Sequence, residues 1–244
     1  MKTYFHAFAM CQSMFCAIPS PWKIWDQEAR DKMLLCLPLV GLEMGLIWAA
    51  VAWLSQRLGF PHAAAALILA VYPFFVTGYI HLDGFMDVTD AVRSYRDLER
   101  RREILKDSHV GSFAVISLCL LAISQFAFFY AGEGDYKILI FLPAVSRCCS
   151  ALAVTVLPAM STSQYAEQKK PKSHVAAILL MMVLFTLAGF VTCGKYGFAL
   201  LGCLAGYGLA LHRAYGSLEG MNGDIAGYSL TISELCGVIV WALI

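Results

Sequence analysis

Charge is scarce in this chain of 244 residues. Only 14% of them are Asp, Glu, Lys or Arg, against about a quarter in an ordinary soluble domain. Hydrophobic residues make up 59%, and the mean hydropathy is +0.67. The deficit argues against a solvated globular surface, and the apolar runs that replace it are long enough for membrane spans. The net charge of +1 and basic residues gathered in loops supply no basic face for a nucleic acid. A basic segment followed by a compact apolar run and a small-residue cleavage site is also missing, so no cleavable signal peptide is expected. The nine cysteines are scattered, with no CxxC pair. Thiolate metal sites need clustered ligands, so these cysteines read as small buried hydrophobes. Without a HExxH motif, catalytic zinc is not expected either. No internal repeat is visible.

What is present reads as an all-α, polytopic integral membrane bundle of six or seven transmembrane helices, with residues 1–244 forming one domain. Residues 1–33 mix charges with Pro19, Pro21, Trp22 and Trp25, as an entry segment at the membrane interface does. Spans are expected at 34–54, 63–80, 113–131, 138–157, 175–193 and 196–212, with a last, short stretch at 229–244. Pro73 and Gly78 should kink or end the second span. If the N-terminus is cytoplasmic, the inside segments hold Lys2, Lys23, Arg30 and Lys32, the basic run 93–106, Lys169, Lys170, Lys172 and Arg213. Only Arg57, Lys137 and Lys195 then fall outside. Positive charge stays inside, so an inner-membrane location is expected, with segment 81–112 and the acidic loop 218–224 on the cytoplasmic side.

The charge that exists is concentrated in residues 77–111. Asp83, Asp87 and Asp90 recur at spacings of four and three. On a helix, Asp87 lies about 40° to one side of Asp83 and Asp90 about 20° to the other, so the three carboxylates share one narrow face. A solvated helix face is the bland explanation. Against it, the acids precede the arginines instead of alternating with them, and they sit at the mouth of a span. Hard oxygen ligands at this spacing suit Mg²⁺, with Mn²⁺ as the alternative. The run from Arg93 to Lys106 can be a membrane-proximal, lipid-attracted helix, or it can supply cations to a pyrophosphate. Asp107 or Ser108 is expected to cap the following span, with Gly111 letting backbone amides approach a phosphate. His81 reads equally as a structural hydrogen-bonder or, beside the carboxylates, as a group of raised proton affinity that orients a ligand or carries protons. Asp224, in a glycine-punctuated loop, is a candidate second metal or substrate contact. Glu43, Arg147 and Glu234 are charges inside expected spans, where pairing or function is the default.

The run Gly78-x-x-His81-Leu82-Asp83-Gly84-x-x-Asp87-x-x-Asp90, followed by Arg101-Arg102-x-Ile104-x-Lys106-Asp107-Ser108-x-x-Gly111, closely resembles the cobalamin synthase family, also called adenosylcobinamide-GDP ribazoletransferases. Weaker matches are Ile18-Pro19-x-Pro21, Leu37-Pro38-Leu39-Val40-Gly41, and Gly220-x-x-Gly223-Asp224-x-x-Gly227 followed by Glu234. Tyr79, His109, Ala114 and Asn222 depart from the family pattern. The resemblance implies a Mg²⁺-dependent membrane transferase that moves the cobinamide phosphate of adenosylcobinamide-GDP onto α-ribazole or α-ribazole 5′-phosphate and releases GMP. Asp83, Asp87 and Asp90 would then hold one or two divalent ions. Arg101, Arg102, Lys106, Asp107, Ser108 and Asp224 would contact substrate, Lys106 binding phosphate oxygens at the catalytic centre. Asp90 or His81 would take the proton of the acceptor hydroxyl. The Asp-Gly-x₂-Asp spacing is also similar to that of CDP-alcohol phosphotransferases, and an ion-coupled membrane transporter is the alternative from another class. Whether the protein forms a homo-oligomer is left open.

Overall fold

Unpaired backbone groups are too costly in hydrocarbon to leave exposed, so a chain this apolar must close its hydrogen bonds within helices. The computed structural model describes residues 2–22, 24–160, 163 and 171–244, and there is no strand among them. Lys23, Lys169 and Lys170 of the orientation argument lie outside the described residues. The helices are α1 Lys2–Phe15, α2 Gln27–Arg30, α3 Met33–Arg57, α4 His62–Val76, α5 Ile80–Arg93, α6 Leu98–Ile104, α7 Ser112–Ala131, α8 Leu142–Val156, α9 Lys172–Cys193, α10 Phe198–Leu218 and α11 Gly223–Leu243. Five helical stretches are long and apolar enough to cross a membrane: Met33–Arg57, Ser112–Ala131, Tyr136–Val156, Lys172–Leu218 and Gly223–Leu243. A sixth arises if α4 and α5 count as one bent span.

The 47 residues of Lys172–Leu218 fold back on themselves. Eight residues of straight helix cover about 12 Å, yet the rings of Phe190 and Phe198 are 5.2 Å apart. A Cβ on Gly197 would meet the Cα of Phe190 at 2.9 Å. The turn is made at Gly194, whose φ of 58° suits a residue without Cβ. The last span also differs from expectation. It begins at Gly223 instead of 229, because the Asn222 side chain accepts the Ile225 N–H at 2.9 Å and caps the helix there.

The entry segment behaves as a helix laid along the bundle. Its α1 runs beside the first half of α3, with Lys32 over the Tyr4 ring and Gln12 donating to Glu43 at 2.9 Å. The chain then returns, and Asp26 reaches His6 at 2.7 Å. Small residues set the packing of the spans. Gly41 and Gly45 of α3 sit where a Cβ would run into the backbone of Pro143 and Ile140.

The charges inside spans find partners. Arg147 of α8 and Glu234 of α11 pair at 2.8 Å with side chains 1% and 4% exposed, and Ser146 also donates to Glu234. Glu43 pairs separately with Gln12, through one of its two carboxylate oxygens. Removing one member of a buried pair strands the other charge. Arg147→Met should therefore lower stability by about 3–5 kcal/mol, whereas adding Glu234→Leu should recover most of the loss. Thermal unfolding in detergent measures both; a single variant as stable as the double one would show that the pair carries no weight.

Candidate active site

The site begins where α4 stops. Of the two residues expected to kink or end this span, Pro73 lies inside α4, which continues to Val76. The break falls at Gly78 and Tyr79, with φ values of 58° and 66°. The left-handed conformation costs a residue with a Cβ about 1–2 kcal/mol, and Tyr79 adopts it. After these two residues the chain turns by 87° into α5. At 14 residues, α5 is about 21 Å long. Alone it is neither long nor apolar enough to span, and it lies outside the five spanning stretches. It is two-faced. Phe85, Val88, Ala91 and Val92 are buried, while Asp83 is exposed and Asp87 and Asp90 are half-buried.

A fourth carboxylate comes from α11. The expected loop around Asp224 is a helix start, and Asp224 lies in its first turn. Glycines bring the two helices together. A Cβ on Gly84 would meet the Cα of Asp224 at 2.9 Å, and one on Gly227 would meet the Cα of His81 at 3.1 Å. Phe85 stacks on Tyr228 along the same contact, with centroids 5.7 Å apart. Burial, and then the charges of Asp83, Asp224 and Asp90, push the Asp87 carboxyl up to about 7. Among the described residues no hydrogen bond or ion pair reaches the side chains of Asp83 or Asp87. No three His, Cys, Asp or Glu side chains among them converge as a ready-made metal cage.

The structure gives other candidates different work. Asp90 spends both oxygens on the start of α7: Gly111 N–H donates to one at 2.6 Å and Ala114 N–H to the other at 2.8 Å. The cap expected from Asp107 or Ser108 thus comes from another helix, and Gly111 admits Asp90 where a phosphate was expected. Asp107 instead accepts from the N–H and ring of His109, at 3.0 and 2.7 Å, and these hydrogen bonds hold its carboxyl below the usual range. Ser108 is exposed. Arg101 donates to the Ser217 carbonyl at 2.8 Å, and Arg102 to those of Leu218 and Glu219 at 3.0 and 2.8 Å. Both cations therefore cap the negative end of α10.

His81 also departs from expectation. It sits about 120–180° around α5 from the aspartates, stacked on Phe15 at 6.2 Å. Its Nε2 is shielded and has no partner among the described residues. Burial, then the positive charge of Arg147, lowers its proton affinity instead of raising it. The helical spacing used to group the aspartates already carried this signal.

A cleft of about 560 Å³ adjoins Asp224 of the acid cluster, and Arg102, Lys106, Met160, Glu219 and Asn222 are among its other lining residues. It brings Lys106 and Arg102 to Asp224 across more than a hundred residues of sequence. Met160 enters because its N–H bonds the Met221 carbonyl at 2.9 Å, fastening the end of α8 to the start of α11. Nothing in the local sequence signals that contact.

The sequence profile of a family described as cobalamin-5-phosphate synthase matches residues 7–242. The chain is similar to an adenosylcobinamide-GDP ribazoletransferase of Clostridium perfringens (strain 13 / Type A), with 33% identity over 100% of both chains. One of the same description from Clostridium botulinum (strain Alaska E43 / Type E3) is 34% identical over 98% of this chain and 97% of its own. Another, from Brevibacillus brevis (strain 47 / JCM 6285 / NBRC 100599), is 29% identical with the same coverage. No solved structure matches the chain.

Four substitutions test how the site is held. Gly84→Val overpacks the α5–α11 contact and should cost about 1–3 kcal/mol, while Gly216→Ala, with open space around it, should be near neutral. Asp90→Ala should cost a similar amount by stranding two N–H groups of α7, and Asp90→Asn less, since its amide retains one acceptor. Thermal unfolding in detergent reads all four, and equal midpoints for Gly84→Val and Gly216→Ala would refute the close contact.

Proposed function

The chain belongs to the cobalamin-5-phosphate synthase family, and we propose that it performs the family's reaction by metal-assisted attack of an alcohol on a pyrophosphate. The reaction is that of an adenosylcobinamide-GDP ribazoletransferase: the cobinamide phosphate of adenosylcobinamide-GDP passes to α-ribazole, forming adenosylcobalamin. The acceptor oxygen bonds to phosphorus, the pyrophosphate P–O bond breaks, and GMP leaves.

One observation supports the mechanism most. Asp83 and Asp87 are uncommitted carboxylates, and Asp224 is brought beside them, next to a cleft that holds Lys106 and Arg102. Hard oxygen donors suit Mg²⁺ or Mn²⁺. Mg²⁺ binds through one or two carboxylates while water and substrate phosphates complete its shell, so a closed protein cage is not required. Asp83, Asp87 and Asp224 would hold the ion, with Asp90 at the edge of the cluster as the anchor of α7. A divalent ion bound there supplies positive charge to the bridging and leaving oxygens of a pyrophosphate. Lys106, exposed at the rim, binds phosphate oxygens. Arg102, with two of its nitrogens on α10 carbonyls, holds the cleft wall and adds field. A carboxylate of the cluster accepts the hydroxyl proton, since His81 lies on the opposite face of α5. The excess of Lys and Arg in the segments at this end supports a cytoplasmic N-terminus and active site in an inner membrane.

Asp87→Asn should lower GMP release at least a hundredfold while expression and membrane insertion persist, and EDTA should abolish wild-type turnover until Mg²⁺ is restored. Full turnover by Asp87→Asn at millimolar-order Mg²⁺ would remove Asp87 from the ligands. Turnover of a CDP-lipid with no GMP release from adenosylcobinamide-GDP would instead favour the CDP-alcohol phosphotransferase chemistry.

A further inference from the structure

A chamber of about 120 Å³ lies inside the bundle, walled by residues of α1, α3, α5, α8 and α11. Phe15, Leu34, Leu37 and Val154 give it apolar walls, and all four are buried. Among its described lining residues the polar side chains are Ser150, His81 and Asp224. Asp224 also lines the cleft that contains Lys106 and Arg102, so the chamber and that cleft share a carboxylate of the acid cluster as their border. The rings of Phe15 and His81 lie within 15° of parallel and form a flat part of the wall. His81 Nε2 has no partner among the described residues. Apart from Asp224, nothing in the mechanism proposed above uses this chamber.

We propose that this chamber is the base subsite of the acceptor, and that it takes the apolar benzo half of the dimethylbenzimidazole that α-ribazole carries. The inference rests on the reaction proposed above. The base is common to α-ribazole and its 5′-phosphate, so either acceptor can occupy the chamber. Size agrees with this occupant. An engineered apolar cavity of about 150 Å³ takes benzene, so the chamber holds one six-membered ring and leaves the imidazole half at its rim. Chemistry then selects among the rings that the two substrates bring. The guanine of the donor and the adenine of its adenosyl group have polar edges that need several buried partners, and these walls offer few. A benzo ring with two methyl groups needs none, and apolar walls with a few placed polar groups are what small-molecule sites provide. The fused ring adds one nitrogen not bonded to ribose, an acceptor for an N–H of the neutral His81 imidazole. With the base seated here, the ribose lies at the rim beside Asp224, where its hydroxyl meets the acid cluster.

The test is steady-state kinetics of the purified protein with donor and acceptor varied, comparing α-ribazole with the α-riboside of unmethylated benzimidazole. The wild-type protein should favour α-ribazole about tenfold in kcat/KM, because the two methyl groups fill the chamber. Val154→Phe takes up that space. It should raise the KM for α-ribazole at least tenfold and reverse the preference, leaving the KM for adenosylcobinamide-GDP within twofold. Leu37→Ala, which widens the chamber, should cut the wild-type preference at least threefold, and it decides if Val154→Phe yields no folded protein. Reversal of the preference is a readout that general damage to the fold does not produce. Equal losses with both acceptors, a raised donor KM, or a preference that Leu37→Ala leaves unmoved would overturn the assignment. Absence of GMP release from the wild-type protein given both substrates would strike the underlying reaction instead.

Discussion

The arrangement depends on how closely α5 and α11 approach. Side chains normally hold helix backbones 8–10 Å apart, but Gly84 and Gly227 remove that spacer on both sides of the contact. Asp224, distant in sequence, is thereby delivered to the flank of the Asp83 and Asp87 face. Without the contact α5 would be an amphipathic surface helix bearing three acids, and α11 an ordinary span.

Close approach makes the cluster electrostatically unfavourable when nothing is bound. Four carboxylates share a partly desolvated volume, and Asp87 responds by holding its proton to about pH 7. In the proposed mechanism a divalent cation, held by the carboxylates, and a polyphosphate, met by Lys106, would together relieve such a charge pattern. The scaffold spends its other charges locally. Arg101 and Arg102 close the end of α10, and Asp90 closes the start of α7. These contacts tie α6 and α7 around α5, so the acids ride on an element held at both ends.

Deeper in the bundle, Arg147 and Glu234 perform the same service for α8 and α11. A buried pair joins the two helices with a directional bond that apolar packing alone does not provide. Because α11 carries Asp224 at one end and Glu234 within, its position is fixed both at the site and inside the membrane layer. The break at Gly78 and Tyr79 has a complementary role. It ends α4 short of a full crossing, turns α5 across the bundle, and opens a cleft beside Asp83.

The sequence by itself determined the membrane bundle, most of its spans, the shared face of Asp83, Asp87 and Asp90, and the family, because apolar run length, helical period and a long motif are all local properties of the chain. It also contained His81's position opposite the aspartates, by the same period. Only the tertiary structure decided that Asp224 joins the cluster as part of a helix, that Asp90 caps α7 in place of Asp107 or Ser108, and that Arg101 and Arg102 bond α10. It alone paired Arg147 with Glu234 and left Glu43 to Gln12. The physical reason is common to these cases. A carboxylate or guanidinium will satisfy whichever opposite charge, amide or carbonyl lies within reach, and reach is set by helix packing between residues far apart in the chain.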